Sequence, residues 1–342
     1  MKQPEYLKKG DKIAIVATAR KISYEEIEAA IKKYKEWGLN VVLGDNIFKQ
    51  ENQFAGIDEV RVMDFQQMLD DVTVKAIICA RGGYGTVRII DKLDFSNFIK
   101  NPKWIVGYSD VTVLHSHIFN NFKIETLHAC MPIDFPVDGS DTESIISLKK
   151  ALFGEKISYS FRTEKLSRKG STQGVLIGGN LSVLYSLLCS NSDIDCTGKI
   201  LFIEDLDEYL YHIDRMMKAL KRAGKLDNLA GLIVGGMSKM RDNDIPFGKT
   251  AYEIIKETVS EYNYPVCFGF SAGHIPINNA LFLGREISLS VDDNESNVVF
   301  SYHKPDESKK QAKRIFNNFL FLLLGFSILY LIYYIILHLV LK

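Results

Sequence analysis

The chain has 342 residues, 46% hydrophobic and 25% charged, a composition that supports a large core and a length that suits two domains. Its 42 basic and 42 acidic residues cancel, which argues against a nucleic-acid-binding surface built on basic clustering. Five cysteines (Cys79, Cys130, Cys189, Cys196 and Cys267) form no Cys-x-x-Cys pair and are odd in number, so neither a zinc site nor a disulfide framework is indicated and a reducing compartment fits.

Met1 to Gly10 is polar, and the apolar run after it, Ile13 to Ala17, is too short for a signal peptide and reads as a first strand. Strand and helix signals then alternate. Lys12–Thr18 is a strand, Tyr24–Trp37 an amphipathic helix stopped by Gly38, and Asn40–Leu43 a second strand. Asp58–Asp71 is a helix and Lys75–Ala80 a buried strand running into the glycine-rich Arg81-Gly82-Gly83-Tyr84-Gly85. A helix over Thr86–Leu93 precedes the strand Lys103–Val106, and another opens at Val111. This βαβα rhythm predicts a parallel sheet covered on both faces, with ligands beyond the carboxyl ends of its strands. It defines an N-terminal α/β domain over residues 1–130.

Residues 131–172 form a looser crossover: Pro132, Pro136, Gly139 and Ser140 break the pattern, one helix covers Ile145–Phe153, and Lys165–Thr172 is polar. A second α/β domain spans residues 173–303. Its strands are Lys199–Ile203, Ala230–Val234 and Pro265–Phe268, its helices Asn180–Leu188, Leu210–Ala223 and Lys249–Glu261, and its end is strand-rich (Ala280–Leu283, Glu286–Val291, Asn297–Tyr302). A polar, basic tether (304–314) leads to a single C-terminal hydrophobic helix (315–342). Phe319–Leu341 carries no formal charge with His338 neutral, and as a helix it is roughly 34 Å long, enough to cross a bilayer core of about 30 Å. Lys309, Lys310, Lys313 and Arg314 before it predict an anchor that keeps the preceding domains on the cytoplasmic side.

Within this frame Gly107-Tyr108-Ser109-Asp110 stands out. A serine on a sharp strand-to-helix turn projects its hydroxyl above the sheet edge, and the Asp110 amide behind it points to where negative charge develops. The alternative is that Ser109 only caps the helix. Seven histidines are candidate bases. His115 and His117 read as packing residues of the following helix, and His128 follows a short strand. His274 is best placed, among small residues at a strand end in Gly269-Phe270-Ser271-Ala272-Gly273-His274. Holding an imidazole takes a carboxylate. Glu204, at the end of Ile200–Ile203, is preferred to Asp205. The acidic run Glu204-Asp205-Leu206-Asp207-Glu208 also reads as a solvated loop or, without matching histidines, weakly as a metal site. The Gly82-Gly83 loop lacks phosphate-loop spacing but can offer a second oxyanion donor from the Gly83 amide. Arg81 either receives a substrate carboxylate or pairs with a structural acid.

In order along the chain, Arg81-Gly82-Gly83-Tyr84-Gly85, Gly107-Tyr108-Ser109-Asp110, Gly178-Gly179-Asn180-Leu181, Ile203-Glu204-Asp205, Ile213-Asp214-Arg215 and Gly273-His274 resemble the motifs of the LD-carboxypeptidases. That family includes muramoyltetrapeptide carboxypeptidases and microcin-immunity peptidases. The resemblance implies two α/β domains and a triad of Ser109 as nucleophile, His274 as base and Glu204 as orienting acid. It also implies an oxyanion hole from the Gly83 and Asp110 amides, substrate contacts from Arg81 and Asn180, a homodimer, and no metal or organic cofactor. The implied reaction releases terminal D-alanine from a murein tetrapeptide during cell-wall recycling. Two alternatives remain: hydrolysis of an aminoacyl-nucleotide conjugate, for which Phe135, Phe153, Tyr159 and Phe161 are candidate nucleobase platforms, and a non-catalytic membrane-tethered binding protein. The chain departs from the family pattern at Ala17-Thr18-Ala19, at Cys189-Ser190 and in its terminal apolar helix.

Overall fold

Parallel strands buried on both faces need continuous apolar runs, and two sheets are built from such runs. The computed structural model describes residues 1–302. The expected membrane helix, its tether, His303 and His338 lie outside the described residues, among which no helix is long and apolar enough to cross a membrane.

The first half follows β1 (Lys12–Val16), α1 (Tyr24–Glu36), β2 (Asn40–Leu43), α2 (Asp58–Asp70), β3 (Val74–Cys79), α3 (Ser96–Lys100), β4 (Trp104–Gly107), α4 (Thr112–Phe122) and β5 (Thr126–His128). Helix α1 starts where the sequence dictates: Ser23 and Glu26 form a reciprocal capping box, and Gly38 takes a φ of 83° just beyond its end. Its buried Ile27, Ala30, Ile31 and Tyr34 fall on one helical face. Each fully buried aliphatic side chain of this kind contributes about 1.5–3 kcal/mol.

The second half comprises α5 (Glu143–Phe153), β6 (Ser158–Arg162), β7 (Gly170–Asn180), α6 (Leu181–Ser186), β8 (Ile200–Leu206), α7 (Leu210–Arg222), β9 (Gly231–Ser238), α8 (Ala251–Thr258), β10 (Val266–Phe268), β11 (Leu281–Leu283), β12 (Glu286–Val291) and β13 (Glu295–Phe300). The first sheet has the order β11-β5-β4-β3-β1-β2 and the second β10-β9-β8-β7-β12-β13-β6. Strands β1 to β5 pair in parallel, as do β7 to β10. Among the described strands, antiparallel strand pairs involve β11 on the first sheet and β12, β13 and β6 on the second.

Strand β7 and helix α3 have no counterpart in the sequence pattern, and three further features differ from it. Thr86–Leu93 forms two short 3-10 turns rather than a helix; its β-branched run favours helix weakly, and Gly85 enters it at a φ of 148°. Ser158–Arg162, expected within a crossover, is an edge strand whose polar residues alternate with Tyr159 and Phe161. Leu281–Leu283, expected in the second domain, pairs antiparallel with β5 and so belongs to the first sheet. The segment between β10 and β11 is therefore strung from one sheet to the other. A buried ion pair sits where the chain leaves β11 for β12: Arg285 donates to Glu125 Oε2 through Nε at 3.0 Å and to the Tyr6 hydroxyl at 3.0 Å.

Candidate active site

Strand β4 ends at Gly107, and the chain turns through Tyr108 and Ser109 into a 3-10 turn that leads into α4. Ser109 has a φ of 64°, the left-handed region that a residue with a Cβ adopts only at a cost. Its side chain does not cap the helix. Gly82 packs directly on it, since a Cβ there would lie 2.8 Å from Ser109 Cβ and 2.9 Å from Oγ, with the Asp110 nitrogen at 3.5 Å. Behind the turn, Asp110 Oδ2 accepts from the Thr86 N–H at 2.8 Å. The buried His115 ring lies 2.9 Å from the Gly107 carbonyl and 2.9 Å from Thr126 Oγ1. Burial holds His115 down at about 3, so the ring is a neutral brace for the turn.

Glu204, fully buried near the end of β8, accepts from His274 Nδ1 at 2.7 Å and from the His274 backbone N–H at 3.2 Å, both through Oε2. Gly273 makes this approach feasible: its φ is 101°, and a Cβ there would lie 2.5 Å from Glu204 Oε2. The His274 carbonyl accepts from Ser238 Oγ at 2.7 Å. The ring centroid of His274 is 4.8 Å from that of Tyr108, so the imidazole abuts the residue next to Ser109. No hydrogen bond joins Ser109 Oγ to the imidazole. Among the described residues His274 Nε2 is uncommitted.

Burial opposes a charge on His274, but the hydrogen bond and charge of Glu204, with the charges of Asp205 and Asp134, outweigh it and raise its pKa. Burial likewise raises Asp134, which accepts from the Met131 N–H at 2.7 Å and from the Tyr108 hydroxyl at 3.3 Å. Burial, with the neighbouring Glu204, pushes Asp205 up to about 7. The acidic run is thus not a solvated loop throughout. Glu204 and Asp205 are buried, Asp207 pairs with Arg241, and Glu208 with His212. Among the described residues no group of His, Cys, Asp and Glu is arranged to hold a metal.

The remaining expected residues sit as follows. Asn180 caps α6, its amide oxygen accepting from the Val183 N–H at 3.1 Å and its amide nitrogen donating to Asp205 at 2.9 Å. Arg81 donates to the Lys21 carbonyl at 3.1 Å and lies 3.5 Å from Glu26, the structural pairing of its two readings. Gly83 has a φ of 120° and lies against the stem of Arg20, where a Cβ would come within 2.2 Å of Cδ. The Arg20 guanidinium has no ion pair among the described residues, and sequence reasoning overlooked it. The four aromatic candidates are spent in packing: Phe135 on Tyr34, Phe153 on Trp37, and Tyr159 and Phe161 on Phe270. Reasoning from sequence also missed Tyr108 and Asp134 as neighbours of the imidazole, although Tyr108 lies inside the serine motif.

Both halves of the chain match known proteins. Residues 13–129 match the LD-carboxypeptidase N-terminal domain and residues 173–289 the LD-carboxypeptidase C-terminal domain. A probable murein peptide carboxypeptidase of Bacillus subtilis is 35% identical over 295 residues, covering 84% of this chain and 91% of that protein. The microcin C7 self-immunity protein of Escherichia coli is 26% identical over 78% of this chain and 85% of its own length. Among solved structures, the muramoyltetrapeptide carboxypeptidase from Oxalobacter formigenes superposes with a TM-score of 0.78 at 26% identity, covering 86% of this chain and all of that one.

Proposed function

Because the chain belongs to the LD-carboxypeptidase family of serine peptidases, we propose that it releases the terminal D-alanine of murein tetrapeptides with Ser109, His274 and Glu204 as its catalytic triad. The observation that carries this reading is the His274 imidazole, held through Nδ1 by a buried carboxylate and packed on the residue beside Ser109. Ser109 Oγ gives its proton to His274 Nε2 as it bonds to the scissile carbonyl carbon. Contacts of this kind tighten when substrate binds. Glu204 keeps the Nδ1–H tautomer and stabilises the imidazolium. The oxyanion is met by the Gly83 and Asp110 amides. His274 then passes the proton to the departing amine as the C–N bond breaks. Water, deprotonated by the same nitrogen, hydrolyses the acyl-enzyme and restores Ser109.

With Arg81 already engaged by Glu26 and Lys21, the free Arg20 guanidinium is the cation for the substrate's terminal carboxylate. The uncharged Phe319–Leu341 run behind its basic tether supports a C-terminal anchor at the cytoplasmic face, and the family resemblance supports a homodimer. The test is D-alanine release from a murein tetrapeptide by the full chain, measured beside hydrolysis of an aminoacyl sulfamoyl nucleoside. Tetrapeptide turnover that vanishes in Ser109→Ala supports the reading; turnover of the nucleoside conjugate alone overturns the substrate assignment.

A further inference from the structure

His128, a base candidate that the triad leaves unused, lies completely buried where three parts of the site converge. On β5 it stands opposite Gly107 of β4, two residues before Ser109. Its ring packs 5.7 Å from the Tyr108 ring and 5.1 Å from that of Phe202, two residues before Glu204. Its Nε2 lies 3.1 Å from Asn278 Oδ1, and the same oxygen accepts from the Gly273 N–H at 2.8 Å. Gly273 is the residue whose left-handed backbone lets His274 reach Glu204.

The proton positions follow from this pattern. A backbone N–H can only donate, so the atom facing Gly273 is the amide oxygen of Asn278. His128 Nε2 must then carry the proton that completes the pair. Burial holds His128 neutral, at about 4. Asn278 is anchored from its other side, its backbone N–H donating to Ser144 Oγ at 2.8 Å. Asn278 Nδ2, His128 Nδ1 and Glu204 Oε1 are all buried without a hydrogen-bond partner among the described residues. Unsatisfied buried polar atoms are expensive, and an apolar pair would fill the same space more cheaply.

Resting on the triad reading, we propose that His128 and Asn278 are positioning residues. Their hydrogen bond ties the sheet that carries Ser109 to the Gly273-His274 turn and sets the imidazole against the nucleophile. The bond joins the first sheet to the β10–β11 segment, which crosses from one sheet to the other. Loss of the bond releases the turn without touching the substrate, so kcat falls while KM holds.

The test compares His128→Gln, His128→Asn, His128→Met and Asn278→Ala with the unmodified chain and Ser109→Ala, measuring kcat and KM for D-alanine release together with thermal midpoints. A glutamine amide can stand near the place of Nε2 and donate to Asn278; an asparagine is too short, and methionine cannot donate. The expected result is near-normal kcat for His128→Gln, and a kcat loss of about tenfold to a hundredfold at unchanged KM for the other three. The clamp is overturned if His128→Asn and His128→Met, folded by their thermal midpoints, turn over like the unmodified chain, or if His128→Gln fares no better than they do. An active Ser109→Ala removes the triad reading itself and the clamp with it, whereas an inactive Ser109→Ala beside fully active His128 variants removes the clamp alone.

Discussion

Replacing Glu204 by glutamine removes one charge and almost no volume, and the structure specifies what remains. Glu204 Oε2 accepts from both the His274 backbone N–H and Nδ1. The backbone donor demands an oxygen at that position, so the glutamine carbonyl takes it and the Nδ1–H tautomer survives. The roughly 10⁴-fold loss that follows a tautomer error in a serine triad is therefore not expected. What disappears is the charged character of both hydrogen bonds; for the one to Nδ1, which acts on the imidazolium, the loss is about 1–2 kcal/mol, or about a 5- to 30-fold fall in kcat/KM. The pH profile moves as well. His274 acts as the neutral base, so activity falls as pH drops through its raised pKa. Removing the Glu204 charge lowers that pKa, and the acidic limb shifts to lower pH. D-alanine release measured from pH 4 to 8, with a thermal midpoint at each pH, reads both effects. An unchanged rate and an unmoved acidic limb in folded Glu204→Gln would refute the coupling of Glu204 to His274.

Gly82→Ala places a methyl group 2.8 Å from Ser109 Cβ, well inside normal contact, at a glycine outside the left-handed region; kcat/KM should fall about a hundredfold, with about 1–3 kcal/mol lost in urea unfolding. Arg20→Gln should raise KM about tenfold for a peptide ending in a free carboxylate and leave the C-terminal amide analogue unaffected, and equal effects on the two would exclude Arg20 as the carboxylate contact. Hydrogen bonds from Thr73, assisted by Lys12 and opposed by burial, hold Asp71 down at about 2. Its contribution is present above the unfolded carboxylate value near pH 4 and is lost as pH falls through about 2. Asp71→Asn should therefore cost about 1 kcal/mol at pH 7, after solvent screening of this one-third-exposed group, and a small fraction of that by pH 2.

Features set by local patterning were legible in the sequence. The Ser23/Glu26 capping box, the apolar strands Ile13–Val16 and Ala76–Cys79, and the turn around Ser109 each depend on a few adjacent residues. Glu204 and His274 were legible because each follows an apolar strand, and the motif order added to that signal. Long-range pairing was not legible. Leu281–Leu283 joins the first sheet only because β5 offers an edge, and no neighbour in sequence announces this. His128 and Asn278 meet across 150 positions, and only their hydrogen bond makes either notable. Arg81 and Arg20 show the same limit: which guanidinium is free depends on where Glu26 falls, not on the residue type.

The most direct test of the triad is covalent. Treat the full chain with a fluorophosphonate and map the adduct by peptide mass spectrometry, beside His274→Ala and Glu204→Gln. The account predicts a single phosphonyl group on Ser109, absent in His274→Ala and formed more slowly in Glu204→Gln. Folded, unmodified protein that takes no label, or takes it at another residue, would contradict it.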